Sequence, residues 1–219
     1  GRPRGGRDPV PDGPGLYLIT PPAFAPAAFA DTLARALDAA AVACVRLALE
    51  DPDADHRAAA AALRPVCAAR DVALVIAEDA ALCATLGLDG IHLATGAPAA
   101  VRAARKAVGP DRTVGAWGGA SRHWGMTAAE AGADYVALGP VSPDGAPDGL
   151  FAWWAEMIET PVVAEGGMTP ERARALAPVV DFVAPRMSVW GAAEGPEAAV
   201  RAYAAALAGP AASFGEGAG

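Results

Sequence analysis

The chain combines a high apolar content with a negative net charge, and together these exclude several classes of protein. It has 219 residues, of which 53% are hydrophobic and 19% charged, and its formal net charge is -8. Such a composition is typical of one globular domain rather than a disordered or fibrous chain, and its acidity argues against nucleic acid or an anionic membrane as a partner.

The two ends of the chain differ in composition from the part between them. Residues 1–15 are rich in Gly, Pro and Arg and lack the apolar core of a signal peptide, so we expect a flexible leader. Residues 209–219 are similar in character, and we expect a flexible tail. The domain is therefore predicted to span residues 16–208.

Between these ends, short apolar runs alternate with Ala- and Leu-rich segments of helical spacing. Continuous apolar runs are typical of parallel strands that are buried on both faces. Eight strands are predicted, at Leu16–Thr20, Cys44–Ala48, Ala73–Ala77, Gly90–Leu93, Thr113–Ala116, Tyr135–Leu138, Pro161–Ala164 and Asp181–Pro185.

Each strand is followed by a segment with helical periodicity, and several of these segments begin with a proline at the first helical position. The predicted helices are Pro26–Ala40, Ala54–Arg70, Ala80–Leu86, Pro98–Val108, Gly125–Ala131, Phe151–Ile158, Pro170–Ala177 and Pro196–Leu207. Eight βα units in about 200 residues predict an α/β fold with a single closed (β/α)8 TIM barrel rather than an open doubly wound sheet.

The most specific local pattern is the turn after the predicted seventh strand. Glu165 is followed by Gly166, Gly167 and a helix that begins near Pro170. Glycines allow backbone amides to approach a phosphate closely, and a helix N-terminus adds partial positive charge. Phosphate sites in barrels often lie between the loops after strands seven and eight, which predicts that Met187 and Ser188 complete the site. The alternative is a plain turn in which Thr169 caps the helix.

Two carboxylates, Glu78 and Asp79, follow the predicted third strand directly. At the mouth of a barrel they could hold Mg²⁺ together with a diphosphate, because Mg²⁺ prefers oxygen ligands. Alternatively, Asp79 is only the N-cap of the next helix.

Other candidates lie in or just after the strands. Arg46, in the second strand, and Arg186, after the eighth, are candidate substrate-binding residues. If Arg46 points into the barrel, it needs an anionic partner, either Glu50, Glu78 or a ligand. Alternatively, it faces outward between the helices. His92 lies in the fourth strand as a candidate base, although a hydrogen-bonded core histidine is the commoner case. We also regard Glu78 as a candidate acid or base.

The glycine-rich segments after the fifth and sixth predicted strands are interpreted as site loops. Trp117 and Trp124 flank His123 in the first of these, where aromatic rings could stack on a heteroaromatic ligand or simply cover the barrel. His123 is a candidate catalytic residue. Trp117, and Gly139 at the start of the second loop, are candidate substrate-binding residues.

Three cysteines, Cys44, Cys67 and Cys83, lie in apolar segments without the spacing of a zinc site or a disulfide framework. We expect free thiols and a cytoplasmic protein. The longest apolar stretches are also shorter than the about 20 residues that a membrane-spanning helix needs, so no membrane association is predicted.

Several of these segments together resemble the thiamin phosphate synthase family and its thiazole tautomerase relatives. The resemblance extends from about Gly15 to Leu207. It is carried by the segments Leu16–Thr20, Leu88–Leu93, Ala131–Val141 and Gly166–Pro170.

The resemblance implies a transferase of thiamin biosynthesis. Members of the family join a pyrimidine diphosphate to a thiazole phosphate with Mg²⁺, by loss of diphosphate and capture of a pyrimidine carbocation. It further implies that Gly166, Gly167 and Ser188 hold the thiazole phosphate. Asp79 takes the aspartate place of the family's Asn-Asp pair, which makes it a magnesium ligand, and Glu78 takes the asparagine place.

The sequence departs from the family where the diphosphate binds. The family has Gln-Leu-Arg-Glu-Lys after the second strand, whereas residues 46–50 read Arg-Leu-Ala-Leu-Glu. The family's second magnesium aspartate falls on Ala97. Residues 115–119 lack the serine and histidine of the family's Gly-x-Ser-x-His, and residues 144–147 lack the lysine of its Thr-x-Thr-Lys.

These departures remove cations from the mouth, which also gains Glu50, Glu78 and Glu165, although a leaving diphosphate needs positive charge. We therefore expect a divergent family member that binds a phosphorylated small molecule, thiazole phosphate or thiamin phosphate-like, as a monomer or homodimer. The departures argue against ordinary synthase activity. The alternatives are a non-catalytic sensor or partner protein with a degenerate active site, and another phosphate-binding barrel. A Schiff-base aldolase is excluded, because Lys106, the single lysine, lies on a helix.

Overall fold

The computed structural model describes residues 13–141 and 148–209. Within these ranges the chain forms a closed barrel in which eight parallel strands pair in sequence order. The barrel closes through the pairing of the first strand with the eighth, with Gly15 opposite Phe182 and Leu16 opposite Val183. The predicted (β/α)8 fold is confirmed.

The strands are β1 (Gly15–Ile19), β2 (Cys44–Leu47), β3 (Ala73–Ala77), β4 (Gly90–Leu93), β5 (Thr113–Gly119), β6 (Tyr135–Leu138), β7 (Val162–Glu165) and β8 (Phe182–Ala184). The helices of the described ranges are α1 (Pro26–Ala39), α2 (His56–Ala68), α3 (Ala80–Leu86), α4 (Pro98–Val108), α5 (Arg122–Glu130), α6 (Asp148–Met157), α7 (Pro170–Leu176), α8 (Met187–Trp190) and α9 (Pro196–Ala208).

Two predicted boundaries near the site are wrong. β5 continues past Ala116 to Gly119, with an irregular register between Trp117 and Gly119, so Trp117 lies in a strand and not in a loop. α5 begins at Arg122 rather than Gly125, because the Ser121 side chain accepts a hydrogen bond from the amide of Trp124 and caps the helix. His123 therefore lies in the first turn of α5.

The sequence pattern also missed the short helix α8 directly after the eighth strand. Four residues are too few to show helical periodicity, so this segment was predicted only as the end of a strand and a loop. The helix matters for function because barrels often bind phosphate at the N-terminus of a short extra helix in this position.

Most of the apolar core lies between the strands and the surrounding helices, and a second, smaller cluster fills the barrel interior. The interior cluster includes Tyr17 and Tyr135, whose large rings need space from their neighbours. A Cβ atom on Gly115 would lie 2.0 Å from the ring of Tyr135, so glycine at this position makes room for that ring inside the barrel.

Aspartates at the amino ends of three strands tie neighbouring strands together. Asp89 accepts a hydrogen bond from the Leu74 amide at 2.7 Å and Asp181 from the Val162 amide at 2.8 Å. Asp134 accepts in the same way from the amide of Val114 at 2.7 Å. These carboxylates lie at the end of the barrel opposite the carboxyl ends of the strands, so their role is structural.

The predicted leader and tail, and the segment at 144–147 that departs from the family pattern, lie largely or wholly outside the described residues. Across residues 13–141 and 148–209, no helix has both the length and the apolar composition needed to cross a membrane.

Candidate functional site

The turn after β7 requires glycine at two successive positions. Gly166 has φ +80° and Gly167 has φ +60°, in the left-handed region that other residues rarely adopt. A Cβ atom would lie 2.9 Å from Pro140 at Gly166, and 2.5 Å from the Val141 carbonyl oxygen at Gly167. Both backbone conformation and space therefore exclude a side chain here.

The carbonyl oxygens of this turn are already engaged within the protein. The amide of Val141 donates to the carbonyls of Glu165 at 3.1 Å and of Gly166 at 2.8 Å. The Arg172 guanidinium donates to the carbonyl of Gly167 and so brings positive charge to the turn. These carbonyl oxygens already accept hydrogen bonds when an anion approaches the turn.

Two amides of the same turn have no acceptor within residues 13–141 and 148–209. The Met168 carbonyl accepts from the Tyr203 hydroxyl at 2.9 Å, but the amides of Gly167 and Met168 donate to no other group in the described residues. Gly167 is exposed to solvent. Free amides in a glycine turn that leads into a helix N-terminus can bind an anion.

The residues after β8 complete this corner of the barrel. Met187 and Ser188 are the first residues of α8, where amides have no partner within the helix. Both residues are exposed, and the Ser188 hydroxyl lies 2.7 Å from the hydroxyl of Tyr203. Tyr203 thus contacts both this segment and the carbonyl of Met168.

Arg46 points into the barrel and pairs with Glu165. Its Nη2 atom lies 2.5 Å from Oε1 of Glu165, and the side chains of Arg46 and Glu165 are 6% and 19% exposed. The guanidinium also lies over the ring of Tyr17, 5.6 Å from its centre. Two atoms of the pair, Nη1 of Arg46 and Oε2 of Glu165, are buried and have no hydrogen-bond partner in the part of the chain that the structure describes. The pair therefore leaves one donor and one acceptor unsatisfied.

His92 belongs to a buried chain of hydrogen bonds beside this pair. Its Nδ1 atom lies 2.9 Å from the Tyr135 hydroxyl, which lies 2.7 Å from that of Tyr17. Burial, together with the nearby charge of Arg46, lowers the pKa of His92 well below its usual value. Burial likewise raises the pKa of Tyr17 and of Tyr135. All three groups are therefore neutral near pH 7.

Glu78 and Asp79 lie at the carboxyl end of β3, and each uses one oxygen within the protein. Asp79 Oδ1 accepts from the Leu82 amide at 2.8 Å and caps α3, while Glu78 Oε1 accepts from the amide of Ala94. In the part of the chain that the structure describes, no three His, Cys, Asp or Glu side chains group closely enough to hold a metal ion. These carboxylates could therefore supply only part of the ligands of a Mg²⁺ ion, with water or substrate oxygens supplying the rest.

Trp117 and Trp124 line a small pocket of about 210 Å³ between the segment that follows β4, the end of β5 and the start of α5. The ring of Trp117 also packs against the barrel interior and lies beside Gly139. His123 is exposed, and its ring packs edge-on against Trp124 with centres 5.4 Å apart. The structure thus brings the two tryptophans together but places His123 on the outer surface of α5.

Arg186 forms hydrogen bonds with residues of the loops after β1 and β2. It donates to the carbonyls of Thr20 and Ala48, at 2.8 and 2.7 Å, and its Nη1 atom lies 2.7 Å from the Glu50 carboxylate. Its guanidinium therefore holds the loops together, and Glu50 neutralises its charge.

Two residues near the turn after β7, Arg172 and Tyr203, were not among the candidates predicted from the sequence. Arg172 lies two residues beyond the Pro170 that opens α7, and nothing in the sequence shows that its side chain turns back to Gly167. Tyr203 stands in an Ala-rich helix, and a buried tyrosine usually needs a hydrogen-bond partner. That signal was available in the sequence, but it does not identify the partner.

Comparison with known proteins agrees with the motifs in the sequence. The sequence model of a family described as thiamine monophosphate synthase matches residues 16–189. The chain is 47% identical over 194 residues to a thiamine-phosphate synthase of Rhodospirillum centenum, covering 84% of this chain and 93% of that protein. It is 37% identical to a thiamine-phosphate synthase of Erythrobacter litoralis, with coverage of 88% and 95%.

Solved structures show the same fold at lower sequence identity. A thiamine phosphate pyrophosphorylase from Pyrococcus furiosus superposes with a TM-score of 0.74 at 24% identity, covering 88% of this chain and 94% of that one. A 3-hexulose-6-phosphate synthase superposes with a TM-score of 0.69 at 17% identity, covering 88% and 100%.

Proposed function

Because the chain belongs to the thiamin phosphate synthase family, we propose that it joins a pyrimidine methyl diphosphate to a thiazole phosphate, releasing diphosphate and forming thiamin phosphate. The observation that carries this proposal is the turn at Gly166 and Gly167. Its carbonyls are engaged, and the amides of Gly167 and Met168 have no acceptor among the residues that the structure describes. Such a turn favours a phosphate group.

In this proposal, the thiazole phosphate binds to the amides of Gly167 and Met168 and to the first amides of α8, at Met187 and Ser188. The Arg172 guanidinium, bonded to the Gly167 carbonyl, adds long-range attraction for the dianion. Fixing the phosphate also fixes the thiazole ring, so its nitrogen can be held against the reacting carbon of the pyrimidine.

The pyrimidine is proposed to lie at the centre of the mouth, over the Arg46–Glu165 pair. Nη1 of Arg46 and Oε2 of Glu165 have no partner among the described residues but are buried, so they can bond the polar edge of such a ring only if the pair shifts on binding. Gly139 and the ring of Trp117 lie beside this space and are proposed to contact the substrate. His92, buried and neutral, supports the site from below through Tyr135.

Mg²⁺ is proposed to bind with the diphosphate rather than before it. Asp79 and Glu78 each keep one carboxylate oxygen beyond the hydrogen bond described above, and carboxylates of this kind commonly hold Mg²⁺ together with substrate phosphates. When bound, the ion would neutralise charge that develops on the leaving diphosphate.

One observation favours a second candidate, a family member that binds phosphorylated ligands without turnover. The two arginines at the mouth, Arg46 and Arg186, are paired with Glu165 and Glu50. Their charge is therefore partly cancelled, and Ala48 stands where the family has a cation. A leaving diphosphate would then depend more heavily on Mg²⁺.

The two candidates predict different results in one assay. The purified protein is incubated with pyrimidine methyl diphosphate, thiazole phosphate and Mg²⁺, and thiamin phosphate and diphosphate are measured by chromatography. Equal, Mg²⁺-dependent formation of both products supports the synthase. Binding of thiazole phosphate in titration calorimetry without any product supports the non-catalytic candidate, and absence of both rejects the phosphate site itself.

We further propose a cytoplasmic protein that acts on a small molecule and not on nucleic acid. Burial raises the pKa of both Cys44 and Cys67 to about 12, so these thiols are unreactive structural residues. The net charge of -8 disfavours polyanionic partners. We propose a monomer or a homodimer, and the molar mass from analytical ultracentrifugation distinguishes the two.

A further inference from the structure

Tyr203 contacts both segments of the proposed phosphate site, the turn after β7 and the first turn of α8. It lies on α9 and is fully buried. Its hydroxyl is 2.9 Å from the Met168 carbonyl and 2.7 Å from the Ser188 hydroxyl. One oxygen atom thus joins the turn after β7 to the first turn of α8.

The direction of these hydrogen bonds follows from the number of protons available. A tyrosine hydroxyl has one proton, and Tyr203 must donate it to the Met168 carbonyl, which can only accept. The contact to Ser188 then requires the serine hydroxyl to donate and Tyr203 to accept. Burial raises the pKa of Tyr203, so the phenol keeps its proton.

This direction limits what Ser188 can offer to a ligand. Its single hydroxyl proton is used by Tyr203, and the oxygen that remains is an acceptor that would repel a phosphate dianion. The Ser188 amide has no partner within α8 and stays available. The serine side chain therefore serves as a tether for its own backbone.

We propose that Tyr203 is a positioning residue that sets the spacing between the Met168 and Ser188 amides, and thereby the affinity for the phosphate group of the thiazole substrate. Ser188 acts through Tyr203 and not through direct contact of its hydroxyl with the phosphate. The inference rests on the proposed function for the identity of the substrate, while the connection itself rests on the two hydrogen bonds.

Titration calorimetry with thiazole phosphate and with the corresponding thiazole alcohol tests the proposal. Tyr203→Phe should weaken binding of thiazole phosphate about tenfold, a change in binding free energy similar to the net contribution of one hydrogen bond. Binding of the thiazole alcohol should be unchanged. In steady-state assays KM for thiazole phosphate should rise, while kcat and the KM of the diphosphate substrate stay near the wild-type values.

A double-substitution cycle separates the tether from direct contact. Ser188→Ala should weaken phosphate binding, Ser188→Thr should restore it, and Tyr203→Phe with Ser188→Ala should bind as Tyr203→Phe alone, because both single changes remove the same connection. If the two effects multiply instead, the serine hydroxyl contacts the phosphate directly and the proposal is overturned. If Tyr203→Phe does not fold, unchanged affinity for thiazole phosphate in Ser188→Ala would still overturn the proposal.

The control variant is Trp154→Phe. The buried Trp154 side chain also donates a hydrogen bond to a backbone carbonyl, from Nε1 to Thr160 at 2.8 Å, and this bond lies near the other end of β7. The variant should lower Tm without changing phosphate affinity. Equal weakening by Trp154→Phe and Tyr203→Phe would show a general stability effect and overturn the proposal. If the wild-type protein does not bind thiazole phosphate, the proposed substrate is wrong, and the same comparison made with inorganic phosphate still tests Tyr203.

Discussion

Arg46 and Glu165 are 119 positions apart in the chain, yet their charged groups lie 2.5 Å apart inside the barrel. The pair joins β2 to β7 across the interior, where little water reaches it. Because each charge depends on the other for its stability, the two residues are expected to behave as a unit when either is changed.

Glu165→Gln should lower the free energy of unfolding by about 3 kcal/mol, because it leaves the buried guanidinium of Arg46 without a counter-charge. Urea denaturation followed by circular dichroism measures the loss. The matched control is Asp38→Asn, which breaks an exposed pair with Arg70 and should change stability little. Equal, small losses in both variants would contradict a structural role for the interior pair.

Asp79→Asn should separate the two roles considered for Asp79. Asparagine caps a helix as well as aspartate does, so the variant should keep its stability, while loss of the charge should raise the Mg²⁺ concentration needed for half-maximal rate. Asp79→Ala should in addition cost about 1 kcal/mol through loss of the cap. An asparagine variant with unchanged Mg²⁺ dependence would limit Asp79 to its role as a cap.

Much of the fold could be predicted because the local signals and the tertiary structure agree. β3, β4 and β6 have the predicted bounds, since each is an apolar run that the residues around it delimit clearly. β5 was predicted too short because Trp117–Gly119 is rich in glycine, which is typical of loops. Pairing with β6 keeps this segment extended as far as Gly119.

The site could be predicted only in part, because a sequence shows which residues follow a strand but not what their side chains contact. The turn at Gly166 and Gly167 was predictable from a strand that runs into paired glycines. The partners of Arg46 and Ser188 were not, since Glu165 and Tyr203 come from other elements. Ion pairs such as Arg186 with Glu50 change the charge at the mouth, and composition cannot reveal them.

Asp181→Ala should destabilise the barrel without affecting ligand binding. The side chain accepts a hydrogen bond from the Val162 amide at the amino end of β7, so its removal leaves that amide unsatisfied and should cost about 1 to 2 kcal/mol. Affinity for thiazole phosphate should stay at the wild-type value, because the site lies at the opposite end of the strands. Asp111→Ala, at an exposed position before β5, is the control and should leave stability unchanged.

His92 should make the stability of the protein dependent on pH in the mildly acidic range. Its pKa in the folded protein is well below the usual value because of burial and the charge of Arg46, whereas in the unfolded chain it is about 6.5. Below about pH 6.5 the unfolded state therefore binds one more proton than the folded state, and the free energy of unfolding should fall as the pH falls.

The expected slope from this residue is at most about 1.4 kcal/mol per pH unit, and it should be absent from His92→Gln, which cannot titrate but can still accept a hydrogen bond from Tyr135. Urea denaturation of both proteins between pH 7.5 and about 5 gives the difference directly, since the carboxylates contribute equally to both. Parallel pH profiles would show that His92 has the same pKa in the folded and unfolded states, and its lowered pKa in the folded protein would then be wrong.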